Sequence, residues 1–295
     1  MGGDFTIPVL VVVGPGLIGG SVAAALKQAG KVGKVIGVSR QAATAATALE
    51  LGLIDEVADL ATATPQADLI LLATPVGAIA SVLEQIKPHL QAHTLISDVG
   101  STKADVLKAA LQVLGTRAAQ FVPGHPIAGA EKAGPEAATA TLYQKRTVIL
   151  TPHKDNSPQA KQLLVQLWES CGARVILMEA TEHDRLLASI SHVPHFLASV
   201  FMWQVASAAN ADVRLQVAGS GFRDFTRIAA GSAEVWRDIF LSNKEAVLAE
   251  LQQVRVALDK AETALQQTDG PSLYEFLEKA ALARRLWESR SGWHE

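Results

Sequence analysis

A chain of 295 residues that is 49% hydrophobic and 19% charged has the composition of a globular protein with a large buried core, and its length predicts two domains. A formal net charge of -3 leaves no basic stripe for nucleic acid, so anionic small ligands have to be met by a few placed cations. One cysteine, Cys171, excludes an intramolecular disulfide and a thiolate metal cluster. MGGDFTIPVL has no basic-then-apolar leader and no apolar run nears the ~20 residues of a membrane span, so a cytoplasmic protein without membrane association is expected.

Val9–Val13 is a short continuous apolar run, as in a buried parallel strand. It leads into Gly14-Pro15-Gly16-Leu17-Ile18-Gly19 and then the Ala/Leu pattern of a helix through Leu26. Gly14 permits the tight turn, Gly16 lets backbone approach a pyrophosphate, and Gly19 lets the helix pack closely on the strand. The free N–H groups of the loop and helix start, at Leu17 and Ile18 among others, face the phosphates with the positive end of the helix dipole. A glycine pattern alone is weak, but one that follows a strand and opens a helix is a dinucleotide-binding signature. A second strand, Lys34–Val38, ends at Ser39-Arg40, with no acidic residue until Glu50. NAD-binding domains place an Asp or Glu about 20 residues past the glycine loop; a hydroxyl and a guanidinium there suit a 2′-phosphate. NADP is therefore expected over NAD, with NAD as the alternative.

Leu69–Ala73 is a strand stopping at Thr74-Pro75, followed by a helix over Val76–Ile86. Thr94–Ser97 is the next, leading through Asp98-Val99-Gly100-Ser101-Thr102-Lys103 into a helix to about Leu114. Phe121–Val122 runs into a turn at Gly124-His125-Pro126, and Thr147–Leu150 and Arg174–Met178 are two further strands around a helix at Gln159–Cys171. Ligands of open α/β sheets bind beyond the carboxyl ends of the strands. The glycine loop, Ser39, Arg40, Thr74, Pro75, Ser101 and His125 all fall there.

At about Ala180 the alternation gives way to helix throughout, predicting a Rossmann-type domain over 1–179 and an all-α domain over 180–295. Asp184, Ala188, Ser191 and His195 share one face of a helix over Thr181–Ala209, which Pro194 should kink. A metal site from Asp184, His192 and His195 is rejected, because His-x-x-His with a proline inside is poor for one face and no HExxH motif accompanies it. Hydrogen bonds to substrate suit His192 and His195 better. Gly219–Arg227 is a glycine-punctuated turn dense in charge. Val247, Leu251, Val254, Leu258, Ala261 and Leu265 then form a heptad-like seam, and Gly270-Pro271 precedes a last helix over Ser272 to about Trp287. The seam predicts a homodimer formed through the helical domain.

His125 is the candidate base: a neutral imidazole has its pKa near working pH and can take a proton from a substrate hydroxyl while hydride leaves the same carbon. The hydroxyls of Ser101 and Thr102 come from the neighbouring strand end. Arg227 and Arg223 offer forks for carboxylates, although an ion pair with Asp224 is the simpler role for Arg223. Trp236 reads as core or pocket wall, and Asp98 as a loop-stabilising acceptor.

The motifs GPGLIGGS from Gly14, DVGSTK from Asp98, GHPIAG from Gly124, EHD from Glu182, SHVPH from Ser191 and GFRDFTR from Gly221, in this order, resemble the prephenate/arogenate dehydrogenases, the TyrA enzymes of tyrosine biosynthesis. The resemblance spans nearly the whole chain. It implies a Rossmann domain followed by a helical dimerisation domain, with the active site between them. It also implies oxidative decarboxylation of prephenate or arogenate with hydride transfer to NAD(P). By the same resemblance His125 deprotonates the ring hydroxyl, Ser101 bonds that histidine or hydroxyl, Arg227 holds a substrate carboxylate and His195 lies near the substrate. Two rivals remain: another two-domain NADP reductase of the β-hydroxyacid dehydrogenase type, and a non-catalytic NADP-binding sensor. The first calls for a lysine base on the Thr181–Ala209 helix, which has none.

Overall fold

The computed structural model describes residues 5–129 and 132–291, the side chains of the last two excepted. They pack as two compact units, Met1–Lys244 and Glu245–Glu295. In the first unit β1 (Ile7–Val13), α1 (Leu17–Gln28), β2 (Val32–Val38), α2 (Ala42–Glu50), β3 (Glu56–Val57) and the short α3 (Leu60–Ala63) come first. Next are β4 (Leu69–Leu72), α4 (Ile79–Ile86), β5 (Leu95–Asp98), α5 (Ala104–Leu114) and β6 (Phe121–Val122). These six strands form one parallel sheet in the order β3-β2-β1-β4-β5-β6. The order reverses between β1 and β4, so the crevice at their carboxyl ends is the topological switch point. Leu10, Val11 and Val12 of β1 and Ile70 and Leu72 of β4 are fully buried, as strands covered on both faces require.

The chain then leaves that sheet. Strand β7 (Gly124–Pro126) pairs antiparallel with β8 (Thr147–Leu150); after α6 (Pro158–Ser170), β9 (Arg174–Leu177) pairs parallel with β8. His125 thus lies in a strand, opposite Ile149, and not in the expected Gly-His-Pro turn. The fixed φ and absent N–H of Pro126 suit a strand end as well as a turn, which is why the tripeptide misleads.

Helix α7 (Ala180–Leu187) passes into a single π-helical turn, Ala188–His192, and then α8 (Val193–Ala206), with Pro194 in the first turn of α8. The π turn takes the strain expected of a proline kink and shifts the register by one. The inward face is therefore His183, Asp184, Leu187, Ala188, His192 and Val193, and Ser191 turns half out. Ala180–Ala206 is also long and apolar enough, by length and composition, to cross a membrane. It is not an unbroken apolar run, since Glu182, His183, Asp184 and Arg185 lie within it. Its buried polar groups bond to other elements of the same unit, as described below, and that is the role the fold gives it. Helices α9 (Ala211–Gln216), α10 (Ser220–Thr226) and α11 (Ala233–Ser242) complete the unit. The charged stretch expected as a turn is thus helix α10, with Arg227 opening a 3-10 turn just after it. Residues 180–244 pack with the α/β part because Asp184, Ser242 and Asn243 bond into it or into one another.

The second unit consists of α12 (Lys244–Gln266, its first residue in unit one) and α13 (Gly270–Ser291). Of the seam, Val247 and Leu251 are buried, whereas Leu258 and Leu265 stand 62% and 67% exposed.

Candidate active site

The glycine loop has the geometry a dinucleotide needs. Gly14 has φ +94°, and a Cβ there would lie 2.5 Å from the Ala73 carbonyl oxygen. At Gly19 a Cβ would come within 2.5 Å of the Gly14 oxygen and 2.7 Å of Val12, which fixes how closely α1 lies on β1. A Cβ at Gly16 would meet no protein atom within 4 Å, so that face of the loop is open. Gly16 caps α1 without a side-chain hydrogen bond, and the first turn holds no acidic residue. The N–H groups of Leu17, Ile18 and Gly19 thus keep their positive field. At the end of β4 the buried Thr74 hydroxyl has no partner among the described residues, and Pro75 opens a short 3-10 turn. An unpaired buried hydroxyl, an open glycine face and an uncapped helix start together fit a pyrophosphate-bearing cofactor. At the end of β2, Ser39 is turned onto Gln41, accepting its N–H at 3.1 Å and donating to its carbonyl at 3.0 Å, while Arg40 is exposed.

A few residues away, buried polar groups tie β5, β7 and the α7–α8 helix together. His125 Nδ1 lies 2.8 Å from His183 Nε2, and His183 Nδ1 lies 2.7 Å from Asp184 Oδ1. The Asp184 carboxylate also accepts the backbone N–H of Lys103 at 2.7 Å and of Ala104 at 2.8 Å, capping the start of α5 from 80 residues away. The Lys103 side chain is fully buried, donating to the Asp98 carboxylate and, at 2.7 Å, to the Gly124 carbonyl beside His125. Asp98 in turn accepts from the N–H groups of Gly100 and Gly124. Burial pushes the Lys103 ammonium below its ordinary value, against the pull of Asp98 and Asp184.

Further along the helix, Asn243 Nδ2 donates to the Asp184 carbonyl at 2.7 Å and to His192 Nδ1 at 3.1 Å. That bond leaves the His192 proton on Nε2, a buried N–H without a partner among the described residues. His195 stacks on Trp236 with ring centres 3.4 Å apart, and its own Nε2 is buried and, among the described residues, unpartnered. All four imidazoles are held below their ordinary pKa, chiefly by burial: His125 well below, His183 and His195 less so, and His192 down to about 4. At neutral pH they are neutral donors and acceptors. The exposed Arg227 adds to this, its guanidinium opposing protonation of His195.

The fold brings His125, His192, His195 and Arg227 into one neighbourhood. Of the two neighbouring hydroxyls, one is placed differently from expectation. Among the described residues no hydrogen bond joins Ser101 to His125, whose Nδ1 is taken by His183, which leaves the substrate hydroxyl as the partner expected of Ser101. Thr102 is fully buried with its hydroxyl 2.9 Å from that of Ser242, tying the β5 loop to α11. Arg223 sits 3.7 Å from Asp224 on the surface, an exposed pair worth at most about 1 kcal/mol. Sequence reasoning missed His183, Lys103 and Asn243. EHD and DVGSTK had been marked as motifs, but a buried lysine cannot be told from a surface one by its neighbours in sequence.

A 3-2-1-4-5-6 parallel sheet with an open glycine loop, and neutral histidines gathered on the helix that packs against its edge, defines a dinucleotide-dependent oxidoreductase. The family model for the nucleotide-binding domain of prephenate dehydrogenase matches residues 22–177, and that for its dimerization domain matches 179–279. The chain belongs to the prephenate dehydrogenase family. It is 37% identical over 274 residues to a prephenate dehydrogenase of Bacillus subtilis, covering 92% of this chain and 74% of that one. It is 36% identical over 279 residues to a cyclohexadienyl dehydrogenase of Zymomonas mobilis, covering 93% and 94%. A crystal structure of the Aquifex aeolicus prephenate dehydrogenase, in complex with hydroxyphenyl propionate and NAD+, superposes with a TM-score of 0.90 at 31% identity, covering 96% of this chain and 99% of that one.

Proposed function

We propose that this protein converts a cyclohexadienol, prephenate or arogenate, to the corresponding phenol with loss of CO2 and hydride transfer to a nicotinamide cofactor, in tyrosine biosynthesis. The observation that carries the reading is His125: a buried neutral imidazole with Nδ1 engaged, on the strand that follows the dinucleotide-binding sheet. Its Nε2 is the nitrogen left to take the proton of the ring hydroxyl. A nicotinamide cofactor held by the glycine loop would supply the acceptor for the hydride of the carbinol carbon. The electrons of the breaking C–CO2 bond then flow through the ring to the oxygen, and His125 returns its proton there. No net proton is released. Aromatisation supplies the driving force, so the chain's task is orientation and the brief custody of one proton.

Arg227 is the fork for a substrate carboxylate, and His195, seated on Trp236, lines the same end. His192 offers its unpartnered Nε2–H to a substrate oxygen. The glycine loop, Thr74 and Pro75 hold the cofactor, with Ser39 and Arg40 meeting a 2′-phosphate, so NADP is favoured over NAD. The absence of a carboxylate between Arg40 and Glu50 supports that choice. We also take residues 1–179 as the cofactor domain and 180–295 as the helical domain, through which two copies pair. Supporting the pairing, the large apolar side chains of Leu258, Leu265, Tyr274, Leu277 and Trp287 are exposed on α12 and α13. A two-by-two assay of prephenate or arogenate with NAD or NADP, read as reduced-nicotinamide absorbance, tests the reading. No turnover in any of the four mixtures would refute it.

A further inference from the structure

The hydrogen bonds behind His125 determine which of its nitrogens carries a proton, and the order can be read from the far end. Both oxygens of Asp184 accept backbone N–H groups at the start of α5. The group is therefore an acceptor, and the proton between Oδ1 and His183 Nδ1 sits on the nitrogen. A neutral His183 with its proton on Nδ1 presents a lone pair at Nε2. The 2.8 Å contact from that atom to His125 Nδ1 then requires the proton on His125 Nδ1. His125 is left with a bare Nε2, the form a general base needs.

From this chain we infer that His183 and Asp184 are positioning residues that lock His125 in its proton-accepting tautomer. The inference rests on the reading of His125 as the base. Burial supports it, since His125 and His183 are both held below their ordinary pKa and both stay neutral, the state in which the tautomer matters. Neither residue has to touch substrate. The lock also explains why Asp184 is held at three points, by two N–H groups of the β5–α5 connection and by His183: a carboxylate free to rotate would not fix the His183 proton.

The chain can be released on purpose. Asp184→Ala removes the acceptor of the His183 Nδ1 proton, so that proton is free to pass to Nε2, which sends the His125 proton onto its own Nε2 and blocks the base. We expect kcat to fall about tenfold or more with KM and cofactor affinity within about threefold. His183→Gln places an amide oxygen close to where His183 Nε2 lies, accepting from His125 Nδ1 without reference to Asp184. The double variant Asp184→Ala/His183→Gln is therefore expected to recover kcat at least about fivefold over Asp184→Ala alone. Were Asp184 merely a cap for α5, the double variant would be no better than the single, and that result overturns the lock, as does Asp184→Ala with kcat within about threefold of the unaltered enzyme. If Asp184→Ala does not fold, His183→Leu against His183→Gln carries the same test: the glutamine variant retains at least about tenfold more kcat, and equal values overturn it. His125→Asn separates the two levels. Full turnover in that variant would defeat the base itself, whereas its loss with no rescue in the double variant defeats only the lock.

Discussion

Lys103→Met is the sharpest test of how the site is held. The ammonium has no solvent exposure, and neither has the Asp98 carboxylate it meets. Removing it leaves a buried carboxylate with only the N–H groups of Gly100 and Gly124, and leaves the Gly124 carbonyl without its 2.7 Å donor. Breaking a buried pair from one side costs about 3–5 kcal/mol, because the remaining charge keeps its desolvation penalty. For a unit of this size about 4 kcal/mol corresponds to a Tm drop of roughly 8–16 °C. Asp98→Asn on its own should cost a similar amount by stranding the ammonium. In the double variant Asp98→Asn/Lys103→Met no charge is left buried, so its loss should be about 2–3 kcal/mol, well under the sum of the singles. Urea denaturation of the four proteins closes the double-mutant cycle. Singles costing under about 1 kcal/mol, or a double equal to their sum, would refute the claim that charge pairing holds β5 to β7.

Other consequences are checked more simply. Gly16→Ala should leave Tm unchanged, since the new Cβ meets no protein atom, but should weaken cofactor binding at least tenfold; Gly19→Ala should lower both, and calorimetric titration beside a melting curve separates them. His192, held down to about 4 against an ordinary 6.5, is neutral when folded and charged when unfolded between those values, so the unfolded chain binds the extra proton there. Its contribution is fully present above pH 6.5 and is lost as pH falls towards 4, by about 3 kcal/mol; in His192→Gln the slope of unfolding free energy over that window should flatten. Arg40→Asp should reverse the preference for NADP, and an unchanged ratio of kcat/KM for the two cofactors would discard Arg40 as the 2′-phosphate residue. Arg227→Ala should raise substrate KM with little change in kcat, and an unaltered KM would assign the carboxylate elsewhere.

The first half of the fold is legible because it is written in short-range pattern. Apolar runs bounded by Gly14, Ser39 and Thr74 mark β1, β2 and β4 to within a residue or two, and a glycine that must adopt φ +94° signals a turn whatever packs on it. Helix α2 and strand β3 were missed: Ala42–Glu50 is a run of Ala and Thr with only Ala45 and Ala48 buried, and two residues of β3 make no period. The departure of β7 from the main sheet was not legible either. Whether Gly124–Pro126 turns or pairs is settled by Val148 and Ile149, more than twenty residues on.

The same distinction separates the residues of the site that sequence finds from those it does not. His125 and Arg227 stand out because their type and position suit the chemistry directly. His183, Lys103 and Asn243 each act through at least one partner far along the chain, 58, 21 and 51 residues away. In each case the residue type has an ordinary surface role, and only three-dimensional closure removes water from around it. The π turn at Ala188–His192 shows why helical spacing could not substitute for that closure. A regular helix would put Asp184 and Ser191 on the inner face. One extra residue in the turn swings His192 inward instead, onto Asn243, and converts a polar stripe into a bonded layer of the site. Register fixed by tertiary contact, not by period, decides which of two adjacent residues does the work.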